Sequence, residues 1–148
     1  MIQDKSDEHF MREALKEAEK AFEQNEVPIG AVIVSDGQII ARAHNLTERL
    51  NDVTAHAEMQ AFTSAAEFLG GKYLHNCSLY VTIEPCVMCS GAAYWTQVKS
   101  IVYGAKDDKR GSSKLGVTLT HPKTKVTCGV LEKECATIMQ TFFSKKRT

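Results

Sequence analysis

Two short segments, about 30 residues apart, place a histidine, a glutamate and two cysteines in a fixed order along the chain. The first reads Thr54-Ala55-His56-Ala57-Glu58, and the second reads Glu84-Pro85-Cys86-Val87-Met88-Cys89. Each segment stands where the hydrophobic pattern predicts the start of a helix. The fold must therefore bring two helix entrances together if these side chains are to act as one site.

The two cysteines of the second segment have the spacing of metal ligands. Cys86 and Cys89 are three positions apart, so on a helix their sulfurs would lie on one face and could share a metal ion. Thiolates bind zinc, and a helix N-terminus favours negative charge. His56 is the expected third ligand. Three protein ligands leave the fourth tetrahedral position to water, which is typical of a catalytic zinc site.

Glu58 is the expected acid–base residue. A site made of Zn²⁺, two thiolates and a neutral histidine carries no net charge, so its zinc is a weaker Lewis acid. A nearby base would help such a site to activate water. One carboxylate could take a proton from water and deliver protons to a ring nitrogen and a departing amine. Such proton transfer typically raises the reaction rate by ~10²–10⁴-fold. His56 and Glu58 are about 200° apart on an ideal helix, so they can flank one cavity only from a helix entrance.

The other cysteines indicate reduced thiols and a cytoplasmic address. The chain has five cysteines, and an odd number without an export signal argues against a disulfide framework. Cys77 and Cys135 are expected to be buried core residues. Acidic residues precede any apolar stretch at the N-terminus, unlike a signal peptide, and no run reaches the ~20 apolar residues of a membrane span. No membrane partner is expected.

Hydrophobic periodicity divides the chain into helices and strands. The pattern predicts a first helix over residues 6–24 with Ser6 as its cap, a second from Thr54 or Asp52 to Leu69, and a third from Pro85 to about Gln97. Strands are expected at residues 29–34, 38–44, 77–83, 100–105 and 125–130, with a hairpin turn at 35–38. A last helix is predicted to carry on one face Leu131, Cys135, Ile138, Met139, Phe142 and Phe143.

These elements predict a single domain over residues 1–148, because 148 residues suffice for one core and leave little room for a second. Strands that alternate with helices indicate an α/β sandwich with helices on both faces of a mixed sheet.

The charge is unevenly distributed along the chain. Residues 1–98 hold 7 Lys/Arg against 14 Asp/Glu, whereas residues 99–148 hold 11 against 4. This asymmetry indicates an anionic partner, although a folded surface could average it out. The cations of the second half include Lys106, Lys109, Arg110, Lys114, Lys123, Lys125 and the terminal Lys145-Lys146-Arg147. The terminal cluster could instead serve the dipole of the last helix.

Taken together, the two segments match the established signature of zinc-dependent nucleobase deaminases. At these residues the sequence resembles the cytidine deaminase superfamily, most closely the bacterial tRNA-specific adenosine deaminases, from about Phe10 to Arg147. Further marks of the resemblance are Glu26-Val27-Pro28-Ile29-Gly30-Ala31-Val32, Asn45, the strand before Glu84, and Gly104-Ala105-Lys106-Asp107. It implies a cytidine deaminase-like three-layer α/β/α sandwich with a five-stranded mixed sheet, a homodimer, and one zinc ion per subunit.

The resemblance also implies a substrate and its contacts. The reaction would convert the anticodon wobble adenosine of tRNA to inosine, with the anticodon stem-loop as partner. Asn45 would contact the nucleoside, the amide of Ala57 would contact the base, Val27 and Ile29 would wall the pocket, and Asp107 would lie near the RNA backbone. By the residues themselves, Asn45 could equally cap a loop, and Val27 and Ile29 could simply pack in the core.

Two features depart from the family pattern. Ser90 stands where the family usually has alanine, and the segment from Gly111 to Lys125 reads His121-Pro122-Lys123 where the tRNA enzymes commonly carry an Asn-His pair. Three hypotheses therefore stay open: a tRNA adenosine deaminase, a deaminase of a free nucleobase or nucleoside such as guanine, and a non-catalytic RNA-binding or zinc-structural module. The third has no need of Glu58, which counts against it.

Overall fold

The computed structural model describes residues 6–146, which form four α-helices and five strands. In chain order these elements are α1 (Asp7–Glu23), β1 (Gly30–Ser35), β2 (Gln38–His44), α2 (Ala57–Leu69), β3 (Cys77–Ile83), α3 (Val87–Thr96), β4 (Ser100–Ala105), β5 (Lys125–Cys128) and α4 (Glu132–Lys146). A short 3₁₀ helix, Ser112–Leu115, lies between β4 and β5. Across this described range, every helix is too short or too polar to span a bilayer.

The five strands form one mixed sheet in the order β2-β1-β3-β4-β5. Strand β1 is antiparallel to both β2 and β3, whereas β3, β4 and β5 run parallel. The β1–β2 hairpin turns at Asp36 and Gly37, whose φ values of 51° and 73° suit a tight two-residue turn. The sheet confirms the predicted five-stranded mixed architecture. It also places the carboxyl ends of β3 and β4 at the same edge.

Alternate residues of the strands face two different helical layers. Ala31 and Ile33 of β1 belong to a core shared with α2 and α3. Val32 and Val34 belong to a second core shared with α1 and α4. Because successive side chains of a strand point to opposite faces, both faces of the central strands are apolar and covered. This confirms the three-layer α/β/α sandwich.

Close packing of α1 on β1 depends on Gly30. A Cβ atom at this position would collide with the backbone of Ala14 and Ala18 in α1. The missing side chain therefore lets the helix lie directly on the strand. Gly30 also pairs with His44, the last residue of β2, so α1 packs beside the point where the chain leaves the hairpin.

The predicted starts of two helices were wrong. Helix α2 begins at Ala57 with His56 as its N-cap, because the carboxylate of Asp52 instead accepts hydrogen bonds from the amide and hydroxyl of Thr54 at 2.8 and 2.7 Å. Those two polar residues close a turn and do not cap the helix. Helix α3 begins at Val87, with Cys86 as its N-cap and Pro85 outside it.

The C-terminal elements also differ in detail from the prediction. Strand β5 ends at Cys128, and Gly129, with a φ of 88°, breaks the extended backbone before residue 130. Leu131 precedes α4, and Phe143 is 41% exposed, unlike the buried Phe142. The predicted burial of Cys77 and Cys135 is confirmed, as is the cap of α1, where the side chain of Ser6 accepts from the amide of His9.

Candidate active site and metal centre

Two helix N-termini meet beyond the carboxyl end of β3, and each presents from its cap position a side chain that could bind a metal ion. His56 caps α2 with φ −72° and ψ 154°, and Cys86 caps α3 with φ −75° and ψ 178°. Neither side chain makes the usual hydrogen bond to its own helix. Both extended residues therefore leave their side chains available to a shared centre.

The donor atoms of this centre have the spacing of a tetrahedral metal site. His56 Nδ1 lies 3.6 Å from the sulfur of Cys86 and 3.6 Å from the sulfur of Cys89, and all three donor atoms lie within 4.8 Å of one another. A tetrahedral zinc ion with ordinary Zn–N and Zn–S bond lengths holds its nitrogen and sulfur ligands about 3.6 Å apart. The two nitrogen–sulfur distances therefore fit such an ion.

The protonation states of the two thiols are tied together. The hydrogen bond from Cys89, followed by the contact with His56, lowers the pKa of Cys86 to about 4. The same partnership, together with burial, raises the pKa of Cys89, and Cys86 raises the pKa of His56. A metal ion that binds both sulfurs must displace the thiol protons that they carry.

Glu58 lies beside these donors, at the second helical position of α2. Its side chain is 2% exposed, and this burial is the main reason why its pKa is raised to about 7. Among its neighbours, the charge of Cys86 raises this pKa further, whereas His56 and the side chain of Cys89 lower it. Because His56 is extended and not helical, the separation of about 200° expected for an ideal helix does not apply. The two side chains can therefore flank one centre.

Contacts behind His56 hold the entrance of α2 in place. The Val53 carbonyl is among the groups that raise the pKa of the His56 ring, and an outer hydrogen bond of this kind orients a ligating histidine. The side-chain amide of Gln60 donates to the carbonyls of His44 and Ala55 at 2.8 and 3.1 Å. Gln60 thus ties the end of β2 to the start of α2. Nothing in the sequence pattern singled it out.

Three of the residues predicted to contact substrate are joined through the backbone. The amide of Asn45 donates to the carbonyl of Ile29 at 3.1 Å, and the amide of Ile29 donates to the carbonyl of Val27 at 2.8 Å. Asn45 is 4% exposed and its side chain makes a long contact of 3.4 Å with Thr47. Ile29 also packs against both cores. The structure brings these residues together beside the entrance of α2.

The other two predicted contact residues lie further along the chain. Ala57 is fully buried as the first residue of α2. Asp107 is half-buried beyond β4, and its Oδ1 atom accepts from the amides of Lys109 and Arg110, each at 3.0 Å. The Asp107 carboxylate therefore shapes its own turn.

Two buried glutamates hold the loops around the site, and sequence reasoning missed this role. Glu26 accepts from the amides of Glu48 and Arg49 at 3.0 and 2.7 Å. Glu84 also accepts from two amides of a distant loop. Both stand one or two residues before a proline, close to one end of an apolar strand. An acid at such a position is the signal that could have identified them, since burying a carboxylate requires hydrogen-bonding partners.

The two departures from the family pattern, Ser90 and the segment from Gly111 to Lys125, bring α3 and that segment into contact. The buried hydroxyl of Ser90 on α3 donates to the hydroxyl of Ser112 at 2.9 Å. The ring of His121 lies 5.6 Å from that of Tyr94, also on α3. The atypical segment therefore packs along α3, from the start of that helix to its far end.

Comparisons with known proteins place this geometry in context. The model of the MafB19-like deaminase family matches residues 5–147. A tRNA-specific adenosine deaminase of Agrobacterium fabrum is 46% identical over 144 residues, which cover 94% of this chain and 95% of that protein. A structure from a study of A-to-I editing by tRNA:A34 deaminases at the wobble position of transfer RNA superimposes with a TM-score of 0.82, at 45% identity, covering 88% of this chain and 98% of that one. A guanine deaminase of Bacillus subtilis has a TM-score of 0.68 at 38% identity, covering 76% of this chain and 71% of that one.

The donor geometry generates a prediction about metal content. We expect Cys86→Ala and Cys89→Ala to remove the metal from purified protein, because each deletes one of three donors. Glu58→Ala should keep the metal, since its carboxyl is not one of those donors. Elemental analysis of each variant by mass spectrometry measures this. The exposed Cys128 lies outside the group, so Cys128→Ala is the matched control; equal metal loss in that variant would contradict the assignment.

Proposed function

The chain belongs to the MafB19-like deaminase family, and we propose that it is a zinc-dependent hydrolase that converts adenosine to inosine at the anticodon wobble position of tRNA. The observation that carries this proposal is the approach of His56 Nδ1 to two sulfurs at 3.6 Å, beside the buried carboxyl group of Glu58. Support for the substrate comes from relatives named for that activity, which match this chain over nearly its whole length.

His56, Cys86 and Cys89 would hold one zinc ion per subunit. When bound, zinc supplies the Lewis acidity that activates a water molecule for attack on the base. The positive N-terminal ends of α2 and α3 favour the thiolate form of the two cysteines. This donor set would leave one tetrahedral position to water, since the described residues bring three protein donors together at this point.

Glu58 moves the protons of the reaction. Water adds to C6 of adenine, the C6–amine bond breaks, and ammonia leaves, so that adenosine and water give inosine and ammonia. Glu58 takes one proton from the attacking water and delivers it to N1 of the ring, and then takes the second proton from the hydroxyl group formed at C6 and delivers it to the departing amine. A single carboxyl group can do this because it lies against Cys89 at the centre and is shielded from bulk solvent.

The substrate base would bind between the N-termini of α2 and α3. We assign the nucleoside contact to the side chain of Asn45 and a base contact to the amide of Ala57, which belongs to the first turn of α2 and so has no partner within the helix. Val27 and Ile29 would form the apolar wall of the pocket, and Asp107 would lie near the RNA backbone. The target nucleotide must leave its stack to reach this depth.

The RNA backbone would follow the basic segment between β4 and β5. The exposed cations of this segment and of the start of β5 are Lys106, Lys109, Arg110, Lys114, Lys123 and Lys125. The Nζ atoms of Lys145 and Lys146 lie over the rings of Phe22 and Phe142, 5.0 and 5.5 Å from the ring centroids. These two lysines therefore contribute to helix packing. Arg147, the last member of the predicted terminal cluster, lies outside the described residues.

A deaminase of a free base such as guanine is the second candidate. Two observations favour it: the guanine deaminase of Bacillus subtilis shares the fold at 38% identity, and the segment after Gly111 departs from the pattern of the tRNA enzymes. The higher identity and fuller coverage of the tRNA-specific relative favour the first candidate. We propose a cytoplasmic location, where tRNA is processed.

The central experiment measures inosine formation on an anticodon stem-loop. We expect turnover by the wild-type protein, loss of turnover after chelation with recovery on adding zinc, and a fall of at least ~10²-fold in kcat for Glu58→Ala, because the proton carrier is removed. Glu67→Ala is the matched control, since Glu67 is an exposed carboxylate near the other end of α2.

Free guanine, adenosine and cytidine are assayed alongside the stem-loop. Turnover of one of these with inert RNA would establish the second candidate in place of the first. Full activity of Glu58→Ala with zinc retained would reject the enzymatic mechanism itself.

The proposed RNA surface generates a prediction about salt. If four cations of the basic segment each neutralise one phosphate, stem-loop affinity should fall by about 50-fold between 50 and 200 mM salt. Lys114→Gln should reduce that slope by about one contact. The matched control is Lys72→Gln, because Lys72 lies beyond the C-terminal end of α2, over the ring of Tyr73. Affinity that does not change with salt, measured by fluorescence anisotropy, would exclude this surface.

We also propose that two copies of the chain form a homodimer. Val53, Val87 and Trp95 are 83%, 55% and 76% exposed, and they belong to the segments that carry the metal donors. A partner that covers them would remove apolar surface from water. Sedimentation equilibrium should give twice the 16.4 kDa of one chain, and Trp95→Glu should lower this mass while Phe68→Glu should not. A 16.4 kDa wild-type particle would contradict the dimer.

A further inference from the structure

The segment from Lys106 to Ser113, called here the basic turn, is wrapped around the carboxylate of Glu84. Oxygen Oε1 of Glu84 accepts from the amide of Asp107 at 3.1 Å, and Oε2 accepts from the amide of Ser113 at 3.0 Å. One buried side chain thus holds the beginning and the end of the turn. Asp107 in turn accepts from the amides of Lys109 and Arg110, so the inside of the turn is hydrogen-bonded while its cations are exposed.

The backbone of the turn at Gly111 lies directly against the carboxyl group of Glu84. A Cβ atom at Gly111 would collide with the carboxyl group of Glu84 and with the carbonyl of Asp107. The φ of Gly111 is −64°, which any residue can adopt. Glycine is therefore needed here for the close approach and not for its backbone conformation.

The other side of the turn is joined to the segment that carries the thiol donors. Gly111 forms a β-bridge with Cys86, and the amide of Ser112 donates to the carbonyl of Pro85 at 3.0 Å. The hydroxyl of Ser90 adds a third link, to Ser112. Cys86 and the exposed cations of the basic turn are consequently parts of one hydrogen-bonded unit.

We propose that Glu84 is a positioning residue that fixes the basic turn against the segment of the thiol donors, and that it thereby sets how tightly RNA is held and not how fast the base reacts. This proposal rests on the proposed RNA substrate. Both carboxylate oxygens of Glu84 are engaged by amides, so its role differs from that of Glu58. Cations on a preformed turn lose less conformational freedom when they meet phosphates.

The test is Glu84→Gln in the full chain. Glutamine keeps the size of the side chain, but its one oxygen can accept from only one of the two amides, and its NH₂ group faces the other. One end of the basic turn should be released. We expect trypsin to cut after Lys106, Lys109 or Arg110 at least ~10-fold faster, because cleavage follows local opening. We expect the KM for the stem-loop to rise about tenfold with kcat changed less than about twofold, and zinc content to stay unchanged.

Glu26→Gln is the matched control. Glu26 is also a buried carboxylate that accepts from two amides, but it holds a different loop, through Glu48 and Arg49. This variant should expose the chain to trypsin at Arg49 and leave the basic turn protected. If Glu84→Gln does not fold, Gly111→Ala provides the second route, since its added methyl group pushes the turn away from Glu84 and should raise trypsin cleavage and KM in the same way. If both single variants fold, the double variant should be no worse than the worse single one.

Three outcomes would overturn the proposal. They are unchanged proteolysis and KM in Glu84→Gln, a fall in kcat at constant KM, and loss of zinc. The last two would place Glu84 in the chemistry or in the metal centre. Proteolysis and zinc content are measured without RNA, so they judge the role of Glu84 in the turn even if the wild-type protein turns over no RNA. Absence of wild-type turnover would count against the proposed function itself.

Discussion

The N-termini of α2 and α3 meet at one point, and the proposed chemistry of this protein depends on that arrangement. His56 and Cys86 occupy the cap positions of α2 and α3, yet neither caps its helix with its side chain. A good cap is worth about 1 kcal/mol, so both helices give up local stability at the same point. What replaces it is a set of three donors around one centre, with Glu58 inside the first turn of α2. The positive helix ends stabilise the thiolate that such a centre requires.

The sheet makes that convergence possible, and two buried carboxylates make it rigid. Because β3 and β4 are parallel neighbours, the segments that follow them leave from one edge of the sheet, where ligands of open α/β sheets usually bind. Glu26 and Glu84 then hold the loops on either side, each by two amide hydrogen bonds. A buried carboxylate is costly unless its oxygens are satisfied, so these loops cannot move away without a penalty. Loops that carry function are thus fastened to the rigid core.

The reaction and the choice of substrate depend on different parts of this arrangement. In the proposed mechanism the donor set and Glu58 would activate water beside any amino-substituted ring, so they would not distinguish RNA from a free base. The distinction must come from what surrounds them: the wall at Val27 and Ile29, the cationic segment after β4, and the contacts that orient this segment. The Ser90–Ser112 hydrogen bond belongs to that surrounding layer. Departures from the family pattern therefore concern how the substrate is held and leave the donors intact.

The amino-acid sequence by itself determined most of the sheet, and it singled out His56, Cys86 and Cys89, which the structure brings together. The strands at 38–44, 77–83 and 100–105 were predicted with the bounds that the structure has, because alternating apolar residues and flanking breakers are local signals. The starts of α2 and α3 were not predicted correctly. Asp52 and Thr54 form hydrogen bonds with each other, and His56 and Cys86 occupy the N-cap positions instead. The roles of Glu26 and Glu84 were also invisible, because each depends on amides more than 20 residues away. Only the tertiary structure brings such partners together, and a local pattern carries no information about which distant amide a buried carboxylate will meet.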